Sequence, residues 1–395
     1  RRQRQMCIRD SPRGKGGFSS TGICSPSEEY WGTEFKVKVK VNMGVVGPKR
    51  KREVAEDEMD AIAPLIQIQF AKFRENAGGN GFTIHDQFRG KPVPVPEFKR
   101  EDKTPDDDKS PVGYYAGDIP SFTVTFKALP DSMKTIKATC TDGIFASEAT
   151  ELSIANGKAE GVVTAKEAVE RKCRGRAENA SWSFSVLGVK LSAKEQMTIS
   201  KCYVLLDRGN LDKPWKTLLK TAFGKWNFSG ATTHDQLMDR LSRGISNSAS
   251  YYDEWNPEVG KTGSLYVDQK QNPMPLSVAG MVDAIDKGTA KIICVEAAGL
   301  MEYSASVLGS GGVSSRGVGW TETRKTTNAQ GQEETKSWRS GHAWCLYGGK
   351  VHNPVPYNAG PTNKSESDYI KDDLKSDENR SNFTEPGGCY FSFNK

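Results

Sequence analysis

The sequence lacks a long hydrophobic run, a strong excess of one charge and closely spaced cysteine pairs. No apolar stretch approaches the ~18 residues that a membrane helix needs, so we expect no membrane-spanning segment. The formal charge of +6 comes from 55 basic and 49 acidic residues, a mixed balance that argues against nucleic acid as a partner. The eight cysteines include no CxxC pair, so we expect no zinc site, no dense disulfide framework and no cofactor.

The length of 395 residues predicts several domains. Residues 1–11 resemble a translated sequencing-adapter read-through, so we expect 1–33 to be an artefact and a disordered start. The native start would then be missing, and the compartment stays open, with a secreted or periplasmic location as one option. Residues 34–111 contain a strand at 34–41, where apolar residues alternate with lysine, and a charged, proline-rich linker at 92–111.

Residues 112–206 contain short alternating runs separated by turn residues. Asn156 and Gly157 favour a type I′ hairpin turn, because both residue types accept a positive φ. Trp182 shares a strand face with Phe184, so we expect it to fill the core between two sheets. The pattern predicts an all-β sandwich, and its order and size resemble a bacterial immunoglobulin-like domain.

Beyond the sandwich the hydrophobic period lengthens to about 3.6 residues, which is typical of amphipathic helices. Thr233 and Gln236 have the spacing of a capping box, and Gly288 is placed to end a later helix. Helices then give way to strands, so we predict a separate α+β domain over 207–359. Residues 360–395 are polar, and we expect a disordered or loosely packed tail that can add one edge strand at its end.

Cys294 begins an apolar helical pattern that Gly309 closes, and the phase of this pattern turns the thiol inward. At a helix start, unpaired backbone amides and the positive end of the dipole favour the thiolate, the form that attacks carbonyl carbons. The sequence therefore predicts a nucleophile at this position. The alternative is an inert core cysteine, because cysteine is among the most buried residue types.

A glycine pair at 348–349 predicts a two-residue hairpin turn, which fixes the register of the strands around it. In this register His342 and Asn353 share one face as diagonal neighbours, so the amide can fix the tautomer of the imidazole. The other ring nitrogen can then face a thiol. The same register sends Cys345 and His352 to the opposite face, where we interpret them as ordinary strand residues.

Three motifs follow one another in this part of the chain: Cys-Val-Glu-Ala-Ala at 294–298, Gly-His-Ala-Trp at 341–344 and Asn-Pro at 353–354. Their order resembles the transglutaminase-like core of the papain-like thiol enzymes, over about 207–357. The resemblance implies an α+β fold and a thiol enzyme that acts on protein or peptide amide bonds by hydrolysis or acyl transfer. It implies that Cys294 is the nucleophile, His342 the base and Asn353 the residue that orients the base.

The third position departs from the family, which usually has Asp where this chain has Asn353. An amide can orient an imidazole but cannot stabilise its charged form as a carboxylate does. A catalytically inactive module with a binding or structural role is therefore the alternative function. For the oxyanion hole or the cleft, the candidates are the backbone amide of Cys294 and the side chains of Trp255, Gln269 and Trp344.

Overall fold

The structure is a computed structural model. It describes the following residues: 34–40, 56–62, 65–73, 81–93, 97–100, 111–129, 133–209, 213–251, 274–356 and 360–394. The chain is rich in β structure and multidomain, with a curled mixed sheet followed by a region that combines helices with a second sheet.

The first half of the chain is built almost entirely of strands. They are β1 (Glu34–Lys40), β2 (Glu56–Ile62), β3 (Leu65–Phe73), β4 (Glu97–Lys99), β5 (Val112–Tyr115), β6 (Ser121–Leu129), β7 (Thr135–Cys140), β8 (Thr150–Ala155), β9 (Lys158–Thr164), β10 (Arg174–Val186) and β11 (Val189–Leu205). The strand predicted at 34–41 is confirmed as β1, which pairs antiparallel with β2.

Nine of these strands form one sheet in the order β4-β3-β6-β9-β8-β7-β10-β11-β5. Neighbours are antiparallel except β5 and β11, which makes the sheet mixed. The sheet curls until its far ends meet, where the Glu195 carboxylate of β11 accepts a hydrogen bond from the Ile68 amide of β3 at 3.2 Å. Because β3 and β4 belong to it, the sheet extends beyond the predicted sandwich at 112–206, and β4 lies inside the predicted linker at 92–111.

Trp182 lies at the centre of the core inside the curl. Its side chain is 1% exposed, and its ring packs edge to face on Phe122 and Phe126, with centroids 5.9 and 5.2 Å away. Trp182 is buried as predicted, but the core that it fills lies inside one curled sheet and not between the two sheets of the expected sandwich. The predicted turn is also confirmed, because Asn156 and Gly157 have φ values of 52° and 71°.

The second half of the chain alternates helices with strands. Its elements are α1 (Lys216–Gly224), α2 (His234–Ser248), β12 (Ser250–Tyr251), β13 (Met274–Ser277), α3 (Val278–Lys287), β14 (Lys291–Ile292), α4 (Cys294–Val307), β15 (Ser314–Thr327), β16 (Glu333–Tyr347), β17 (Lys350–Asn353), β18 (Gly360–Pro361), α5 (Glu366–Tyr369), β19 (Arg380–Ser381), β20 (Gly387–Gly388) and β21 (Phe391–Asn394).

The predicted helix ends are confirmed. Thr233 precedes α2, and its hydroxyl accepts a hydrogen bond from the Gln236 amide at 3.3 Å. Gly288 follows α3 in the left-handed region, with φ of 73°. Gly309 follows α4 with φ of 96°, and a side chain there would collide with the Asp207 backbone, so this position requires glycine.

The second sheet has the order β18-β17-β16-β15-β19, with β20 also paired to β15. α4 covers one face, where the Cys345 thiol of β16 donates to the Ala298 carbonyl at 3.2 Å. α5 covers the opposite face, where Tyr369 packs on Trp344 with ring centroids 5.5 Å apart. The sheet therefore lies between two helical layers.

The expectation of a disordered or loosely packed tail is wrong for the described part of 360–395. Tyr369, Ile370 and Leu374 are buried in an apolar cluster with β15, β16 and β17. Composition misled here, because the polar residues of the segment are on its outer side. The predicted edge strand is confirmed as β21, which pairs parallel with β13.

The two regions pack directly against each other. Residues 82–93 and the end of β11 share one buried cluster with α1 to α4. The Cys173 amide, just before β10, donates to the Ala231 carbonyl, just before α2, at 2.8 Å. In the part of the chain that the structure describes, no helix has the length and apolar character needed to cross a membrane.

Candidate active site

Cys294 is the first residue of α4, as the sequence predicts. The preceding residue, Ile293, is extended, and its amide donates to the Glu296 carboxylate at 3.0 Å, which fixes where the helix begins. Cys294 is 6% exposed and belongs to the cluster that unites the helices. The thiol therefore lies at the positive end of a well-anchored helix.

The hairpin that carries the candidate base has the predicted register. Gly348 and Gly349 form its turn with φ values of 56° and 76°. Tyr347 pairs with Lys350, and Cys345 pairs with His352. The neighbouring strand confirms the alternation, because β15 and β16 pair without a register shift along their whole length.

His342 lies on the face of β16 that carries Trp344. The two rings are stacked, with centroids 6.1 Å apart and an interplanar angle of 26°. The residue is partly exposed, but its Nε2 atom is buried and has no hydrogen-bond partner among the described residues. Burial and the nearby Arg380 cation lower the pKa of His342 to about 4. The imidazole is therefore neutral at pH 7 and able to accept a proton.

Asn353 ends β17, and its side chain raises the pKa of His342 against the effect of burial. Its Oδ1 accepts from the Val355 amide at 3.2 Å, and its Nδ2 donates to the Tyr369 hydroxyl at 3.2 Å. The Ser242 hydroxyl of α2 donates to the Asn353 carbonyl at 2.9 Å. Both the backbone and the amide of Asn353 are thus held by neighbouring elements.

Tyr369 connects the predicted residues to one another. Its ring centroid lies 6.3 Å from that of His342, and its hydroxyl binds Asn353. Burial raises the pKa of Tyr369, and the Asp373 and Cys294 charges add to the effect. Cys294 is thus within electrostatic range of the Tyr369 hydroxyl, which contacts Asn353 of β17.

The structure brings His342, Asn353 and Tyr369 together on one face of the sheet. α4, which carries Cys294, covers the other face, because Ala343 and Cys345 point towards it while His342 and Trp344 point towards α5. The charge of the Cys294 thiolate raises the pKa of Tyr369 and of Cys389, which places the thiol near both residues.

Cys345 and His352, the other thiol and imidazole pair on this hairpin, do not have the environment of a nucleophile and its base. The thiol is fully buried and donates to the Ala298 carbonyl. Burial and the Glu302 carboxylate raise the pKa of Cys345 well above its usual value. His352 lies 3.6 Å from Asp239 of α2, away from the His342 face. This environment fits the interpretation of the pair as structural residues.

Two of the three candidate cleft side chains, Trp255 and Gln269, lie outside the described residues. The third, Trp344, is fully buried between His342 and Tyr369. It supports the imidazole ring and is not open to solvent. Within the described ranges, no three His, Cys, Asp or Glu side chains are arranged to hold a metal ion.

Sequence reasoning missed Tyr369, although a local signal was present. Ser365 and Asp368 have capping-box spacing, and the Ser365 hydroxyl accepts from the Asp368 amide at 3.2 Å. The apolar residues Tyr369, Ile370 and Leu374 follow directly. A cap before an apolar group predicts a docked helix, but the polar composition of the whole tail outweighed it.

Comparison with known proteins adds no relationship to this geometry. No family model matches the chain, and no curated protein is significantly similar to it. Function is therefore inferred from the residues of the site.

Proposed function

We propose that this chain is a transglutaminase-like thiol enzyme, with an α+β domain over 207–359, that acts on protein or peptide amide bonds by hydrolysis or acyl transfer. Cys294 is the nucleophile, His342 the general base and Asn353 the residue that orients the base. The observation that supports this most is the His342 environment: a neutral ring near Tyr369, with a buried Nε2 that has no partner among the described residues. A neutral imidazole nitrogen without a partner can accept a proton.

The reaction begins with proton transfer from the Cys294 thiol to His342. The sulfur forms a bond to the carbonyl carbon of the amide, and the carbonyl oxygen takes the electron pair of its double bond. When the carbon–nitrogen bond breaks, the proton moves from His342 to the leaving amine and a thioester remains. Attack of water on the thioester then releases a carboxylic acid and restores the thiol. Attack of a second amine releases a new amide instead.

Asn353 influences this cycle through the charged form of the ring. An amide oxygen that accepts from a ring N–H stabilises the imidazolium less than a carboxylate does. Because burial lowers the pKa of His342 to about 4, we expect the imidazole to be neutral in the resting state. His342 then works as a base during the attack.

The second candidate function is a catalytically inactive module with a binding or structural role. It is favoured by the division of the site between two faces of the sheet: α4 packs on Ala343 and Cys345, whereas His342 packs on Tyr369. An enzyme would need the Cys294 sulfur and the His342 ring to meet at the edge of this sheet.

The test is turnover of a mixed glutamine-containing peptide library, followed by mass spectrometry with and without an added primary amine. We expect release of ammonia or cleavage of peptide bonds, lost by at least roughly 10³-fold in Cys294→Ala. Cys345→Ala is the matched control, because it removes a buried thiol from the same sheet and should retain turnover. Equal activity of Cys294→Ala and wild type would exclude the thiol enzyme.

A further inference from the structure

The C-terminal segment 360–395 supplies Tyr369 to the candidate site, and its role can be inferred from hydrogen bonding. The Val355 amide can only donate, so the atom of Asn353 that faces it at 3.2 Å must be the oxygen. The nitrogen of the same amide then faces the Tyr369 hydroxyl at 3.2 Å. Asn353 is 2% exposed, so water does not readily replace this acceptor.

The interaction between Asn353 and His342 fits the same orientation. The Asn353 side chain favours the charged form of the ring, which is the effect of an amide oxygen that faces a ring N–H. A carbonyl oxygen has two lone pairs and can serve the Val355 amide and the imidazole together. Without the Tyr369 hydroxyl, the amide nitrogen would lose its described acceptor in a buried position, at a cost large enough to turn the side chain away.

The position of Tyr369 is itself fixed. Arg316 of β15 holds α5 through Glu366, with Nε to Oε1 at 2.9 Å and a second nitrogen to Oε2 at 3.2 Å. The Tyr369 ring is 4% exposed and packs edge to face on Trp344. The hydroxyl is therefore presented to Asn353 by a helix that is bonded to the same sheet.

We propose that Tyr369 is a positioning residue, which holds the Asn353 amide against His342, so that segment 360–395 completes the site. This inference rests on the proposed function for its effect on catalysis. Its structural part, the control of the His342 tautomer, can be measured whether or not the chain is an enzyme.

The test uses ¹⁵N NMR of the His342 ring at pH 7, where the two nitrogen shifts report the tautomer. We expect one tautomer in the wild type and a mixture in Tyr369→Phe and in Asn353→Ala. Combining the two substitutions should give no further change, because Tyr369 acts through Asn353. Tyr347→Phe, a matched loss of a hydroxyl on the opposite face of β16, should leave the ring shifts unchanged.

Kinetics give a second readout in the same variants. Tyr369→Phe should lower kcat about 3- to 10-fold with little change in KM, since the hydroxyl orients the base and does not contact substrate. Arg316→Ala loosens α5 but keeps the Tyr369 side chain, and it should change the His342 tautomer in the same direction. This variant replaces Tyr369→Phe in the test if Tyr369→Phe does not fold.

Unchanged ring shifts in Tyr369→Phe would overturn the inference, and so would an equal change in the presence and absence of Asn353. If the tautomer responds as expected but no variant shows turnover, Tyr369 still positions Asn353 and the proposed thiol enzyme is wrong. The two failures are therefore distinguishable.

Discussion

Two buried carboxylates of the curled sheet and His342 of the second sheet differ in their hydrogen bonding. In the curled sheet, Glu178 is 4% exposed and is paired with Arg174 and Arg176 at 3.4 and 3.0 Å. Asp118 is also buried, and its carboxylate accepts from two backbone amides, those of Gly81 and Tyr115. Both carboxylates therefore have hydrogen-bond partners, although burial still raises the pKa of Asp118.

In the second sheet, His342 keeps a buried nitrogen that has no partner among the described residues, and its charged form is disfavoured. Such a group costs stability, and a cost of this kind is typical of functional positions. The two carboxylates of the curled sheet are thus compensated by their partners, whereas the His342 nitrogen is available for the proton transfer that we propose. The predictions below test this difference.

The largest effect is expected from removing one buried indole in each region. Trp182→Ala and Trp344→Ala should each lower the free energy of unfolding by about 3–5 kcal/mol, because both side chains are at most 1% exposed. Urea denaturation measures this loss. Only Trp344→Ala should change the ¹⁵N shifts of His342, whose ring stacks on Trp344. A change in both variants would remove the distinction between the regions.

A smaller effect is expected from pH. The pKa of His342 falls from 6.5 in the unfolded chain to about 4 in the fold, so the unfolded state takes up its proton first. Stability from this group is complete above pH 6.5, falls as the pH falls towards 4, and changes by about 3 kcal/mol in total. Urea denaturation between pH 7 and pH 4 measures it, with His342→Gln as the variant that should lack this component.

The smallest effect is expected at the exposed Asp207, where Arg171 lies 2.8 Å away and His234 also binds at 2.8 Å. Burial opposes these partners, but together they lower the pKa of Asp207. Its contribution to stability is present above the unfolded pKa of about 3.9 and is lost as the pH falls through the lower folded value.

Because the Asp207 side chain is 45% exposed, solvent screening limits the loss in Asp207→Asn to about 1 kcal/mol or less. The measurement is urea denaturation at low and at high salt, and the loss should shrink in 1 M salt. Asp283→Asn, which removes an exposed pair within α3, is the control and should cost only a few tenths of a kcal/mol. A loss at Asp207 that does not respond to salt would contradict the screening argument.

Local patterns in the sequence were sufficient to predict several elements. The caps of α2 and α3, the turn at Asn156 and the hairpin at 348–349 depend on residues close in the chain, so sequence alone shows them. Trp182 was also predictable, because the alternation of its strand marks the buried face.

Long-range placement was not predictable from such patterns. β4 joined the curled sheet from a stretch whose charge and proline content favoured a linker, because pairing with β3 compensates for poor local signals. Tyr369 reached the site by the Arg316–Glu366 ion pair, which joins residues 50 positions apart. No local pattern around Arg316 or Glu366 predicts this contact. The candidate site was therefore predicted without Tyr369.

The central claim is that Cys294 and His342 work together, and the rate of Cys294 alkylation by iodoacetamide tests it most directly. Mass spectrometry after timed exposure between pH 5 and pH 9 gives this rate. We predict that Cys294 reacts faster than a free cysteine below pH 8, that His342→Gln slows it at least about tenfold, and that the control His352→Gln leaves it unchanged. Equal rates in wild type and His342→Gln would contradict the account.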